Sequence, residues 1–165
     1  MVRMSAARPL TSALLLAAVL AACGSSADLA SSASLVDVTT GWYDSGVTPE
    51  GKNKLVPSIS LRIRNTGRER LASTQLNLIF RRVTEEEEWT TSFVRGIGAE
   101  GLAPGESTEP IVVRAQQGYT GEQPRAQMLS NSQFVDAKVT VFGKHGSANW
   151  VRLGEYGIAR QLLTD

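Results

Sequence analysis

From residue 35 onward, apolar and polar residues alternate along much of the chain, which is the pattern of β-strands with one buried face. In residues 59–64, isoleucine or leucine alternates with serine or arginine. Similar alternating or β-branched runs cover residues 35–43, 76–81, 89–94, 111–113, 135–141 and 150–152. The pattern therefore predicts about seven strands.

Turn-forming residues separate these runs. Asn65-Thr66-Gly67 follows the clearest strand, and Pro104-Gly105 fits the centre of a type II turn. Residues 124–133 are the stretch that favours a short helix, with Pro124 at its start. Short strands, frequent turns and little helix predict an all-β fold, namely an Ig-like antiparallel β-sandwich with one short connecting helix.

The first 22 residues follow a different pattern. Arg3 and Arg8 precede an apolar run at residues 13–22, and the first acidic residue is Asp28. A basic start, a short apolar core and small residues before a cut are typical of a secretory signal peptide. Because the apolar run is shorter than the roughly 20 residues that cross a bilayer, we expect a targeting segment and not a membrane span.

Cys23 is the only cysteine, and it follows this apolar run directly. Leu20-Ala21-Ala22-Cys23 resembles the lipobox of bacterial lipoproteins. The resemblance implies cleavage before Cys23, a diacylglyceryl thioether on its sulfur and usually acylation of the new amine. Two or more acyl chains would hold the protein firmly on a membrane. The alternative is an ordinary signal peptide whose cut falls beside a cysteine.

The residues after Cys23 refine this expectation. In the lipoprotein family, aspartate after the cysteine marks inner-membrane retention in many two-membrane bacteria, and Gly24 stands at that position here. The resemblance thus implies an outer-membrane protein that faces the periplasm. Residues 24–34 are small and polar apart from Leu29, which predicts a flexible tether.

These patterns give the expected domain organisation. We expect a signal peptide at residues 1–22, the lipidated cysteine and tether at 23–34, and a β-sandwich domain at 35–165. Within that domain, the turns at residues 65–67 and 102–107 resemble those of small Ig-like domains in exported bacterial lipoproteins. Such turns are structural features, and they imply no activity.

Composition limits the partners and cofactors. The chain has 17 basic and 16 acidic residues, and this balance gives no strong basic field, so we expect no nucleic-acid partner. With Cys23 acylated, no disulfide framework is expected. One histidine, His145, cannot build a His-rich zinc site, and the sequence suggests no other metal site and no cofactor.

Arginines are the candidate binding residues. Arg62 and Arg64 share the outward face of one predicted strand, and Arg81 and Arg82 end the next. If these strands pair, the four side chains form a basic stripe. Guanidinium groups suit carboxylates and phosphates, so lipid headgroups, lipopolysaccharide or an acidic protein are candidate ligands. The alternative is an ordinary solvated sheet face, balanced by the glutamates at residues 85–88.

Other conspicuous residues favour structural interpretations. Residues 96–101 match G-x-G-x-x-G, but the Leu102-Ala103-Pro104-Gly105 that follows cannot start the helix that a nucleotide site needs. We expect His145 and residues 85–88 to be exposed in turns. Aromatic residues are expected mainly in the core, with one ring of the adjacent Trp42-Tyr43 pair facing outward.

The sequence thus predicts a non-enzymatic lipoprotein of the bacterial envelope. It would be anchored through Cys23, and its Ig-like domain would bind an envelope protein or support envelope assembly or transport. The alternative is a periplasmic carrier for a lipid or an anionic ligand. An enzyme is the least favoured class, because carboxylate pairs such as Glu100 and Glu106 give no acid–base assignment by spacing alone.

Overall fold

The computed structural model describes residues 28–163, so Cys23 and the predicted signal peptide lie outside the described part of the chain. That part contains nine strands and two short helices. The strands are β1 (Ala33–Val47), β2 (Asn53–Asn65), β3 (Thr74–Arg82), β4 (Thr90–Ile97), β5 (Ile111–Arg114), β6 (Tyr119–Gly121), β7 (Ala137–His145), β8 (Val151–Gly157) and β9 (Leu162–Leu163). The helices are α1 (Leu29–Ser32) and α2 (Arg125–Ser130).

The strands form two sheets. One sheet has the order β5-β2-β1-β9, with β6 also paired to β2, and the other has the order β4-β3-β7-β8. All pairs are antiparallel except β1 with β9. In the lettering of the immunoglobulin fold, β1, β2 and β5 correspond to A, B and E, and β4, β3, β7 and β8 to C′, C, F and G. The predicted all-β, Ig-like sandwich is confirmed.

The core lies between the two sheets and comes from the alternating positions that the sequence marks. Several large side chains of both sheets are fully buried, namely Leu55, Ile59, Leu61, Ile63, Leu76, Leu78, Phe80, Val139 and Val141. Side chains from two facing sheets interdigitate in this way across a layer of about 10 Å. The predicted alternation in β2, β3 and β7 is therefore confirmed.

Two short strands differ from the sequence expectation, whereas the predicted helix is present. The two- and three-residue strands β9 and β6 were not predicted, since neither has an alternating pattern of its own. The predicted short connecting helix is confirmed as α2, which follows Pro124 and buries Met128 and Leu129.

The folded body begins earlier than residue 35. Residues 28–34, expected to be tether, contain α1 and the start of β1. Asp28 caps α1, because its Oδ1 accepts a hydrogen bond from the amide of Ala30 at 3.2 Å. Leu29 is only 3% exposed, and it lies against Gly143, which has no side chain to exclude it. Because Leu29 is buried in the core, residues 28–34 belong to the folded domain.

Asn65 ends β2 and is fully buried. Its Nδ2 donates hydrogen bonds to the carbonyls of Glu69 at 2.8 Å and Leu102 at 2.9 Å. Its Oδ1 accepts one from the amide of Gly67 at 2.9 Å. Since a buried amide is costly unless its partners are present, these three bonds fix the β2–β3 connection against the turn before β5.

The backbone around Asn65 extends the same network. The Asn65 amide donates to the carbonyl of Glu106 at 2.9 Å, and the Asn65 carbonyl accepts from the amide of Gly105 at 2.8 Å. The next amide, of Thr66, donates to the carbonyl of Ser32 at 2.9 Å, at the end of α1. The start of the folded chain is therefore tied to the same point as the two turns.

We expect Asn65→Ala to lower the free energy of unfolding by about 3 kcal/mol, because the three hydrogen bonds of the buried Asn65 side chain are lost. Urea unfolding of the purified variant measures the change. Asn53→Ala is the matched control, since Asn53 donates one hydrogen bond at an exposed site, to the carbonyl of Gln123. Its cost should stay below about 1 kcal/mol, and equal costs for the two variants would contradict the role given to Asn65.

Candidate functional site

Asp28 is the first residue that the structure describes, and it is the described residue nearest to Cys23 in the sequence. Cys23, the predicted lipidation site, lies outside the described residues, five positions before Asp28. Asp28 and Leu29 line a shallow cavity of about 290 Å³ together with Lys144, His145 and Asn149. Asp28 therefore lies beside the turn that joins β7 to β8.

Arg62 and Arg64 lie on β2, in the first sheet. Arg62 alternates with fully buried neighbours, and its Nε is 3.7 Å from Oδ2 of Asp37. Asp37 lies at a bulge in β1 and has a positive φ of 51°. Arg64 is exposed beside Ser34 in the register of β1 and β2. These two arginines face outward, as the alternation predicted.

Arg81 and Arg82 lie at the end of β3, in the other sheet. Since β2 and β3 do not pair, the four arginines do not form one stripe, and the condition for that prediction is not met. Arg81 Nη2 is 3.3 Å from Glu88 Oε1, and Arg82 Nη2 is 2.7 Å from Glu85 Oε2. The acidic turn thus balances the nearest arginines.

Arg82 also borders a cluster of four aromatic rings that closes one end of the sandwich. Trp42 stacks on Tyr119 at a centroid distance of 5.5 Å, and Phe134 meets Trp42 edge-on at 4.7 Å. Trp89 lies 5.0 Å from Tyr119, and the Arg82 guanidinium lies 5.6 Å from its ring. Burial raises the pKa of the Tyr119 hydroxyl. This cluster is a packed end of the core.

The glycine-rich segment at residues 96–101 contains the end of β4 and a turn. The amide of Gly101 donates to the carbonyl of Gly98 at 3.1 Å, and Gly101 has a φ of 71° that favours glycine. The segment continues to Leu102, which bridges to Leu71 and starts no helix. A surface cavity of about 380 Å³ lies here, and Glu100 and Glu109 help to line it. The segment lacks the helix N-terminus that holds a pyrophosphate.

The outer face of the second sheet carries the most exposed aromatic side chains. Phe93 on β4 is 66% exposed, and Trp150, just before β8, is 36% exposed. Their ring centroids are 6.0 Å apart, although β4 and β8 are the two edges of a four-stranded sheet. Because three strand spacings amount to about 14 Å, the ring of Trp150 must lean inward across the sheet.

The strand register identifies the residues around these two rings. Phe93 lies opposite Asn77, Asn77 opposite Phe142, and Phe142 opposite Arg152. The Oδ1 of Asn77 is buried without a hydrogen-bond partner among the described residues. One row further, Arg95 and Lys144 lie on either side of Gln75. We call this surface the aromatic–basic patch, and it consists of Phe93, Arg95, Phe142, Lys144, Trp150 and Arg152.

The charge of the patch is positive. The Nζ of Lys144 lies 5.0 Å from the centre of the Trp150 ring, a cation–π contact. Arg152 Nη2 is 3.3 Å from Oε2 of Glu155. A hydrogen bond from Thr140, assisted by the charges of Lys138 and Arg152, keeps the pKa of Glu155 below its usual value, so this carboxylate is ionised at neutral pH. It partly offsets one of the three cations.

Sequence reasoning missed this patch, because it expected the aromatic residues mainly in the core, whereas Trp150 is exposed. The signal that could have found it is the presence of adjacent large apolar residues, Phe93-Val94 and Val141-Phe142, within single strands. In a strand with one buried face, one member of such a pair must point outward. The outward ring predicted for Trp42-Tyr43 is a lesser feature, because Tyr43 is half-buried and Arg114 lies 3.5 Å from its ring centre.

Within residues 28–163, no group of three or more histidine, cysteine, aspartate or glutamate side chains is placed to hold a metal ion. Neither helix of the described chain has the length and apolar character needed to cross a bilayer.

Comparisons with known proteins add little to this picture. No family model matches the chain, and no curated protein matches it. An X-ray structure described as Northeast Structural Genomics Consortium target SoR45 is 16% identical, with 80% of this chain and 89% of that chain covered and a TM-score of 0.42. A crystal structure from Bordetella pertussis, described under the name ApaA, is 20% identical, with 77% and 92% covered and a TM-score of 0.35. Similarity at this level supports no functional conclusion.

We expect Phe93→Ala to change the free energy of unfolding by no more than about 0.5 kcal/mol, because the ring is exposed and little packing is lost. Phe80→Ala is the matched control on the neighbouring strand, and its fully buried ring should cost about 3–5 kcal/mol. Urea unfolding measures both variants. A cost for Phe93→Ala near that of Phe80→Ala would mean that Phe93 serves the fold and is not available for binding.

Proposed function

We propose that this protein is a bacterial lipoprotein, held on the envelope membrane by acyl groups on Cys23, and that its sandwich domain is a non-enzymatic binding module. The observation that carries the proposal is the position of Cys23. It follows a signal-like segment directly and precedes the folded body by five residues. An acyl anchor there would hold the domain close to the membrane.

The aromatic–basic patch supports the binding role. A soluble surface rarely keeps several aromatic rings together unless they meet a partner. Aromatic and arginine side chains are also the residues that are enriched at the centres of binding surfaces. We therefore propose that the patch binds a component of the envelope, and that the protein faces the periplasm from the outer membrane.

The alternative function, a carrier that encloses a lipid between its sheets, is not favoured. The space between the two sheets is occupied by fully buried leucine, isoleucine, valine and phenylalanine side chains. The two cavities described above lie at the surface, one beside the β4–β5 connection and one beside the chain exit. A small-molecule site normally buries most of its ligand within a cavity of several hundred Å³.

Cys23→Ser should abolish incorporation of a labelled fatty acid and release the protein from the membrane fraction without detergent, because serine has no thiol to form the thioether. Labelling in cells, mass spectrometry of the mature N-terminus and membrane fractionation measure these changes. Ser25→Ala is the matched control, since it removes a hydroxyl from the same segment and keeps the thiol. A wild-type protein whose mature chain begins elsewhere than at an acylated Cys23 would refute the proposal.

A further inference from the structure

The aromatic–basic patch lies near Asp28, the described residue that is nearest to Cys23 in the sequence. Lys144 belongs to the patch and also lines the cavity that Asp28 lines. Trp150 directly follows Asn149, another residue of that cavity. Five residues reach at most about 18 Å when fully extended, so the Cα atoms of Cys23 and Asp28 can be no farther apart than this. An anchor on Cys23 would therefore keep the patch close to the headgroups.

The chemistry of the patch fits a lipid surface. Tryptophan and other aromatic rings partition to the boundary between headgroups and acyl chains. Lysine and arginine beside them are attracted to anionic phospholipids. Phe93 and Trp150 supply the rings at the centre of the patch, while Arg95, Lys144 and Arg152 supply the charge around them.

We infer that the aromatic–basic patch rests on the anionic lipid leaflet into which the acyl chains of Cys23 insert, so that the outer face of the second sheet lies on the membrane. This inference rests on the proposed lipoprotein function. It commits the patch to lipid as its partner in place of an envelope protein.

The contact need not be strong in isolation. Once Cys23 is anchored, binding of the patch becomes intramolecular, and a short connection gives an effective concentration in the millimolar range. Each lysine or arginine near an anionic leaflet strengthens association about fivefold. Arg95 and Lys144 together would then contribute about 30-fold, whereas Arg152 contributes less because Glu155 lies beside it. A contact too weak to recruit the free domain can therefore orient the anchored one.

The other outer face provides a comparison. Arg62 and Arg64 on β2 lie near the chain start, since Arg64 pairs in register with Ser34. That surface thus offers two cations beside the first residues of β1. Arg62, however, has Asp37 as its ion-pair partner, and the exposed rings Phe93 and Trp150 lie on the opposite sheet. If charge alone oriented the domain, both faces would respond alike to loss of two arginines or lysines.

The test uses the mature acylated protein, purified from membranes and reconstituted into vesicles of phosphatidylglycerol and phosphatidylcholine with brominated acyl chains. Bromine quenches only tryptophan rings that approach the acyl chains. Trp42 is fully buried and Trp89 is half-buried in the aromatic cluster, whereas Trp150 is exposed in the patch, so we expect the response to come from Trp150. We expect quenching of the wild type that Trp150→Phe removes, and that falls in pure phosphatidylcholine and at 0.5 M salt.

The charge variants decide between the faces. In the double variant Arg95→Gln with Lys144→Gln, the ratio of domains whose patch contacts the lipid to domains whose patch does not should fall about 30-fold. Quenching of Trp150 should fall with this ratio. Arg62→Gln with Arg64→Gln, which removes the same charge from the other face, should leave quenching unchanged. The inference is wrong if the two double variants behave alike, or if neutral vesicles quench the wild type equally.

Mass spectrometry of the same preparation separates this inference from the proposed function. An acylated Cys23 with no quenching of Trp150 leaves the lipoprotein function standing and refutes the membrane contact. An unmodified Cys23 refutes the lipoprotein function itself. A photocrosslinker at position 93 should react with lipid in cells, and reproducible crosslinking to one envelope protein would overturn the lipid assignment.

Discussion

The buried amide of Asn65 holds together the end of the sandwich at which α1 packs. Its side chain joins the β2–β3 connection to the turn before β5, and its backbone pairs with the same turn. The neighbouring amide of Thr66 holds the end of α1 at Ser32. Because α1 also buries Leu29 beside β7, the position of Asp28 is fixed relative to both sheets. The surface nearest to the predicted anchor is therefore a property of the fold.

The sheets were predictable where each strand has one buried face. In the middle of β2 and β3, large apolar side chains with no exposed surface stand at every second position, and that alternation is visible in the sequence. They are Ile59, Leu61 and Ile63 in β2, and Leu76, Leu78 and Phe80 in β3. The strands β6 and β9 were not predictable, because they form only where a neighbouring strand already stands. The beginning of the domain was misjudged for a similar reason. Small polar residues around Leu29 resemble a linker, and only the space above Gly143 makes that leucine part of the core.

The candidate site shows what alternation cannot reveal. The alternating pattern correctly placed Arg62 on an outward face. The pattern could not show that β2 and β3, which are consecutive in the chain, lie in different sheets. Strand pairing depends on the whole topology, so a stripe that crosses strands is beyond sequence reasoning. The patch has the same origin. Phe93 and Trp150 come from opposite edges of one sheet, and only the register through β3 and β7 brings their rings to 6.0 Å. A pair of adjacent apolar residues in a strand indicates that one of the two side chains points outward. Such a pair does not indicate which side chains of other strands lie beside it.

The earlier start of the folded body changes what an anchor could do. A flexible tether that ran to residue 34 would let the domain rotate freely above the membrane. No face of the domain would then be held towards the lipid. Because the folded body includes Asp28, no more than four residues separate it from Cys23, and the Cα atoms of Cys23 and Asp28 lie at most about 18 Å apart. A short connection limits the orientations that are open to the body, so a modest preference of one face is enough to select among them. The two outer faces differ in their free charge and in their exposed aromatic side chains. On the first sheet, Arg62 is paired with Asp37. On the second sheet, aromatic rings lie exposed beside cations near Asp28. If Cys23 is acylated as proposed, a short anchor and two unlike outer faces together would give the domain a defined side towards the lipid.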